Sequence, residues 1–217
     1  MNLQSFSYRN IKWKLKQYRD KFQGLDFLSV IEPEEVGLDP NLASHSSPSG
    51  NKFLENVLND LNITSKDTII DIGCGKGSAM RTMLKYDFGK VDGIELSEKI
   101  ANIATNNFRK LNSNNAKIFC SDAALFTGYD VYNMIYFYNP FLAVVMKGVV
   151  DKLTESVKRA DRELTIIYNN AACHDLIINT GNFIQIGSYP DQWKNGMFVY
   201  SNRSLPNSRL AVKKLHH

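Results

Sequence analysis

The sequence predicts an α/β fold: a doubly wound, mostly parallel seven-stranded sheet with an antiparallel edge strand, preceded by an N-terminal helical extension. Three observations carry this expectation. From Thr68 onward, short apolar runs alternate with segments of helical periodicity, the pattern of strands joined by crossover helices. The run Val131 to Tyr138 is apolar almost throughout, as in a strand covered on both faces. The last two strand-like runs have no helix-length segment between them and are therefore expected to pair antiparallel at one edge. The natural division is an extension with its loop over residues 1–46, then one domain over residues 47–217.

Within the extension, Tyr8, Ile11, Leu15, Tyr18 and Phe22 recur at helical spacing and form one apolar stripe on a basic helix. The expectation is that this stripe packs on the domain and leaves a basic face in solvent. Pro33, Gly37, Pro40, Pro48 and Gly50 mark the loop that follows. Phe53, Leu54, Val57, Leu58 and Leu61 share a helix face, with Ser47 and Pro48 as its expected start. Strands then read at Thr68–Ile72, Lys90–Glu95, Ala116–Cys120, Val131–Tyr138 and Glu163–Tyr168, with two more at Asn182–Ser188 and Met197–Ser201. Helices fall between them at Ser78–Tyr86, after a Ser97 cap, at about Ala143–Arg159 and near Ala172–Asn179.

The composition is that of an ordinary globular protein: 43% of the 217 residues are apolar and 22% charged. No run approaches the roughly 20 apolar residues of a membrane span, and Met1 to Asn10 lacks a signal-peptide core, so a cytoplasmic location is expected. The three cysteines, Cys74, Cys120 and Cys173, are too widely spaced for a C-x-x-C metal site, and no metal is inferred. Residues 1–22 hold a charge of +5 and the remainder about −1, a distribution that lacks the broad basic face of a nucleic-acid-binding protein.

Chemistry concentrates in Asp71-Ile72-Gly73-Cys74-Gly75-Lys76-Gly77, where the first strand turns into a helix. Glycines there allow a tight turn and close approach of backbone to ligand, while free N–H groups at the helix start favour negative charge. A dinucleotide fingerprint would need a glycine where Ser78 stands. Glu95 ends the second strand at the distance from which an acid meets ribose hydroxyls.

The run D-x-G-x-G-x-G resembles motif I of the class I, Rossmann-like S-adenosylmethionine-dependent methyltransferases, and the resemblance extends from about Thr68 to Phe141. It implies S-adenosylmethionine as cofactor and S-adenosylhomocysteine as product. It implies that Gly73, Cys74, Gly75 and Gly77 pass along the methionine portion, that Asp71 holds the ammonium, and that Glu95 with the adjoining Leu96 takes the ribose. After the third strand, Asp122 and Ala123 look like the element that meets the adenine amino group.

Tyr138-Asn139-Pro140-Phe141, closing the fourth strand, is similar to the Asn-Pro-Pro-Phe/Tyr motif of methyltransferases acting on amino or amide nitrogen, here with a single proline. Asn139 is the expected catalytic residue, also lying against the cofactor; Pro140 and Phe141 join it in the acceptor pocket. An amide oxygen there can accept from an NH₂ group and aim its lone pair at the methyl. The expected acceptor is a nitrogen of a protein or small molecule rather than nucleic acid. His174 is a candidate base at the same rim, and His45 a candidate lid residue. The rival reading is a non-catalytic S-adenosylmethionine-binding module acting through its basic N-terminal helix.

Overall fold

The computed structural model describes residues 14–37, 49–139, 143–190, 196–204 and 209–210. Seven strands form one sheet: β1 (Thr68–Ile72), β2 (Lys90–Glu95), β3 (Ala116–Cys120), β4 (Met134–Tyr138), β5 (Thr165–Asn169), β6 (Ile184–Tyr189) and β7 (Met197–Ser201). Their spatial order is β3-β2-β1-β4-β5-β7-β6. The first five run parallel, and β7 enters antiparallel between β5 and β6. The expected sheet and its antiparallel edge are both present.

Helices cover both faces: α1 (described over 14–22), α2 (Lys52–Asp60), α3 (Ser78–Met83), α4 (Glu98–Lys110), α5 (Ala143–Arg159) and α6 (His174–Ile178). Strand residues alternate between two cores. Ile69, Met134, Tyr136 and Ile167 face Leu54, Met80, Phe108 and the segment Leu25, Phe27, Leu28. Ile70, Ile135, Phe137 and Ile166 face Met146, Val150, Leu153 and Ile177. Asp71 and Gly93 lie opposite each other in the β1–β2 register, and Asp71 is likewise opposite Tyr136 on β4. The strand alternation therefore directs Asp71, Tyr136 and Glu95 to the face that carries α3.

Several boundaries move for local reasons. The expected start of α2 at Ser47 and Pro48 lies outside the described residues; Asn51 caps this helix, its Oδ1 accepting from the N–H groups of Phe53 and Leu54 at 3.0 and 3.1 Å. β4 begins at Met134 rather than Val131, because Gly128–Val131 is a 3₁₀ turn and the Asn133 side chain accepts from Thr68 N–H at 2.9 Å. β5 starts at Thr165, since Leu164 N–H is taken by the Asn202 side chain.

The amino-terminal helix packs through the opposite face to the one expected. Of the apolar stripe, Tyr8 and Ile11 lie outside the described residues, while Leu15, Tyr18 and Phe22 are 62%, 72% and 95% exposed. Asp20 is the buried residue, with both carboxylate oxygens within 2.9 Å of Arg81 Nη1 on α3. A buried ion pair, absent from any periodicity, has decided the rotation of α1. Beyond the helix, Leu25, Phe27 and Leu28 enter the main core, so residues 25–28 pack as part of the domain.

Candidate active site

The turn after β1 is held to β2 by its own backbone: Gly73 N–H and Cys74 N–H both donate to Ile94 O at 2.9 Å. Gly77 caps α3 with φ of +86°, and a Cβ there would lie 2.4 Å from the Phe108 ring. Only glycine satisfies both the left-handed backbone and that contact. Cys74 is buried, and burial, with the nearby Asp71 and Glu95 charges, pushes its thiol far above the ordinary cysteine range. Its Sγ lies 3.6 Å from Gly75 O.

Two acids converge here. Glu95 is buried, its Oε2 accepting from Gly75 N–H at 3.0 Å and its Oε1 from Ser97 N–H at 2.9 Å. Burial raises its pKa while these backbone donors oppose the rise. Asp71 is also buried, and its Oδ2 has no hydrogen-bond partner. Burial first, and the Glu95 charge second, push its pKa up to about 8. An unpartnered carboxyl oxygen beside a second carboxylate is a site prepared for a cation.

Leu96 is half exposed beside Glu95. Ser121 N–H donates to Glu95 O at 3.1 Å and so brings the end of β3 to the end of β2. Asp122 follows, half-buried, with Oδ1 accepting from Ala124 N–H at 2.8 Å; Ala123 is buried next to it. Gly73, Cys74, Gly75, Gly77, Asp71, Glu95, Leu96, Asp122 and Ala123 thus all occupy the carboxyl ends of β1, β2 and β3 or the turns that leave them. That is where ligands bind in open α/β sheets.

Asn139 ends β4 in left-handed backbone, φ +40°, and Tyr168 Oη donates to its Oδ1 at 3.4 Å. Tyr168 Oη in turn accepts from Cys173 N–H at 3.3 Å, fixing the phenol between strand and helix. Pro140 and Phe141 lie outside the described residues, as does His45. His174 has its Nδ1 2.8 Å from Tyr200 Oη, and its ring packs edge-on against Phe198; both partners lie on β7.

Four features escaped the sequence reading. Tyr168 orients Asn139. Tyr136, opposite Asp71, bonds Ser49 and accepts from Asn169 Nδ2 at 3.5 Å; burial first, then the Asp71 charge, keeps its phenol protonated. Asn169 is the last residue of β5 and pairs with Tyr138 of β4. Lys76, inside the glycine turn, is buried and bonds Asp26 at 2.9 Å and Ser29, while Asn107 Nδ2 donates to both Asp26 O and Lys76 O. These contacts tie residues 26–29 to the turn. The same segment walls a cleft of about 460 Å³ against Tyr18, Asp20 and Lys21 of α1. Among the described residues, no group of His, Cys, Asp and Glu is arranged to hold a metal.

Comparison with known proteins bears on the domain and the fold. Residues 69–164 match the family described as "Methyltransferase domain". Two rRNA adenine N-6-methyltransferases, of Bacillus licheniformis and Bacillus anthracis, are each 31% identical over 86 residues, covering 40% of this chain. The match spans only 29% of the length of these curated relatives. Among solved structures, the glycopeptide N-methyltransferase MtfA with bound S-adenosylmethionine superposes with a TM-score of 0.56 at 9% identity, over 70% of this chain and 93% of that one. A SAM-dependent methyltransferase from Aquifex aeolicus gives 0.50 at 18% identity, over 68% and 87%. These likenesses are to the fold.

Proposed function

We propose that this chain, whose residues 69–164 match a methyltransferase domain, is a class I S-adenosylmethionine-dependent methyltransferase that moves the methyl group to an amino nitrogen. The observation that carries the cofactor assignment is the buried, unpartnered Asp71 Oδ2 beside Glu95. An amino-acid ammonium satisfies both the missing hydrogen bond and the excess of negative charge. The residues present therefore fit the group. Asp71 would hold its ammonium, the backbone of Gly73, Cys74, Gly75 and Gly77 would line its methionine portion, Glu95 and Leu96 its ribose, and Asp122 and Ala123 its adenine.

When bound, the sulfonium supplies an already activated methyl, so the protein's task is position and partial dryness rather than strong acid–base help. Asn139 serves that task. Tyr168 Oη donates to its Oδ1 and holds the carboxamide at the end of β4, where it would accept an N–H of the acceptor and direct the nitrogen lone pair. Tyr138, partly exposed one residue earlier, offers a ring against a flat acceptor. Transfer would form the N–C bond as the S–C bond of the sulfonium breaks, leaving S-adenosylhomocysteine, and the surplus proton on the acceptor nitrogen would pass to water. The adenine amino group named for the two curated relatives supports a nitrogen acceptor.

The test is transfer of a labelled methyl into three separated fractions: ribosomal RNA, total protein and small molecules. Label recovered as an N-methyl product supports the reading and names the acceptor class. Tight cofactor binding with no label in any fraction identifies a non-catalytic binding module instead, and label on oxygen or carbon removes the Asn139 role.

A further inference from the structure

The outward face of α1 has a construction that the methyl-transfer site does not use. At about 100° per residue, Leu15, Tyr18 and Phe22 form one line of apolar side chains about 10 Å long, and Asp20 lies nearly opposite it. The Asp20–Arg81 pair pins that opposite side to α3, and the Arg81 guanidinium also stacks 4.7 Å over the Phe27 ring. Rotation of the helix is thereby fixed with its large apolar residues in solvent, 62%, 72% and 95% exposed. Lys14 and Lys21 border the line on one side and Arg19 on the other, all three exposed. The order across the face is cation, apolar, cation.

We propose that this face is a docking surface for an anionic lipid leaflet, which α1 meets lying flat. Leu15, Tyr18 and Phe22 enter the headgroup boundary, and the flanking cations extend to lipid phosphates. Charge selects this occupant over others. A second copy would set Lys14, Lys21 and Arg19 against like charges along the whole seam, which disfavours self-pairing. Nucleic acid would require a basic track continuing across the domain, but residues 1–22 carry +5 and the rest about −1. A leaflet is negative on both sides of an inserted stripe, as these flanks require. No helix among the described residues is long and apolar enough to cross a membrane.

Sedimentation of the full chain with vesicles of phosphatidylcholine, with and without about 30% phosphatidylglycerol, tests the proposal. The chain should pellet with the anionic vesicles, release as salt rises, and stay soluble with the neutral ones. Each cation contributes about a five-fold factor in partitioning, so the triple variant Lys14→Gln, Arg19→Gln, Lys21→Gln should bind about 100-fold more weakly. Tyr18→Ser with Phe22→Ser should also abolish pelleting, and both variants should keep the parent melting temperature because these side chains are exposed. Failure to pellet with anionic vesicles, or equal pelleting of either variant, overturns the proposal. Single-stranded RNA binding without vesicle binding, or a dimer lost in Tyr18→Ser with Phe22→Ser, assigns the face to those occupants instead.

Discussion

Asp71 and Glu95 stand on adjacent parallel strands, Asp71 opposite Gly93 and Glu95 two residues further along the same face, and the Glu95 charge adds to burial in disfavouring ionised Asp71. With the Asp71 pKa pushed up to about 8, the free folded protein holds a proton that the unfolded chain gives up near pH 4. Between those values the folded state binds more protons, so stability falls as pH rises from about 4 to about 8. Asp71→Asn should flatten that slope in melting temperature. Cofactor binding near pH 7 should release close to one proton from the parent and none from Asp71→Asn, read by calorimetry in buffers of different ionisation enthalpy. Equal release from both proteins removes Asp71 from the ammonium site.

Glu95→Ala tests the neighbouring acid. Each charge-assisted hydrogen bond to a ribose hydroxyl is worth roughly 1.5 to 3 kcal/mol, so cofactor affinity should fall at least about 10-fold. The variant also strips Gly75 N–H and Ser97 N–H of their acceptor. Glu95→Gln, which retains one carbonyl oxygen, should therefore recover melting temperature more fully than affinity. Unchanged affinity in a folded Glu95→Ala protein ends the ribose assignment.

The strand ends that place these acids were legible because buried parallel strands read as apolar runs, and Thr68–Ile72, Lys90–Glu95 and Ala116–Cys120 appear where the residues put them. The glycine turn was legible because its left-handed backbone restricts residue type. What was not legible rests on single tertiary contacts. Nothing local announces that Asp20 will find Arg81 and reverse the expected face of α1, or that Tyr200 will claim His174. Nor does anything local announce that Asp26, Ser29 and Asn107 will enclose Lys76 from distant parts of the chain.

Lys76→Met examines that enclosure. The lysine side chain is 2% exposed and Asp26 43%, so removing the cation leaves a carboxylate that water only partly rescues. A loss of about 1 to 2 kcal/mol is expected, or roughly 3 to 6 °C in melting temperature for a chain of this size. Burial works against the Asp26 charge, but hydrogen bonds from Lys76 and Ser29 win and hold its pKa below the usual carboxylate range. The parent's advantage should thus be complete above about pH 4 and vanish as pH falls through the lowered value. A melting difference that persists unchanged into acid would show that Lys76 acts by packing alone.

Asn139 separates positioning from binding. Its carboxamide ends β4 beside the proposed acceptor, whereas the residues proposed to hold the cofactor lie on β1, β2, β3 and their turns. Asn139→Ala should leave cofactor affinity within a few-fold and reduce turnover by roughly 100-fold, since small misplacement of a reacting nitrogen is costly. Backbone strain complicates that variant, because φ of +40° disfavours alanine by about 1 kcal/mol. Asn139→Gly removes the strain without restoring the amide, so it should recover stability but not turnover. Tyr168→Phe deletes the phenol that donates to Asn139 Oδ1 and should give an intermediate loss in kcat with little change in cofactor affinity. Restored turnover in Asn139→Gly would mean that the left-handed turn, not the carboxamide, is what the reaction needs.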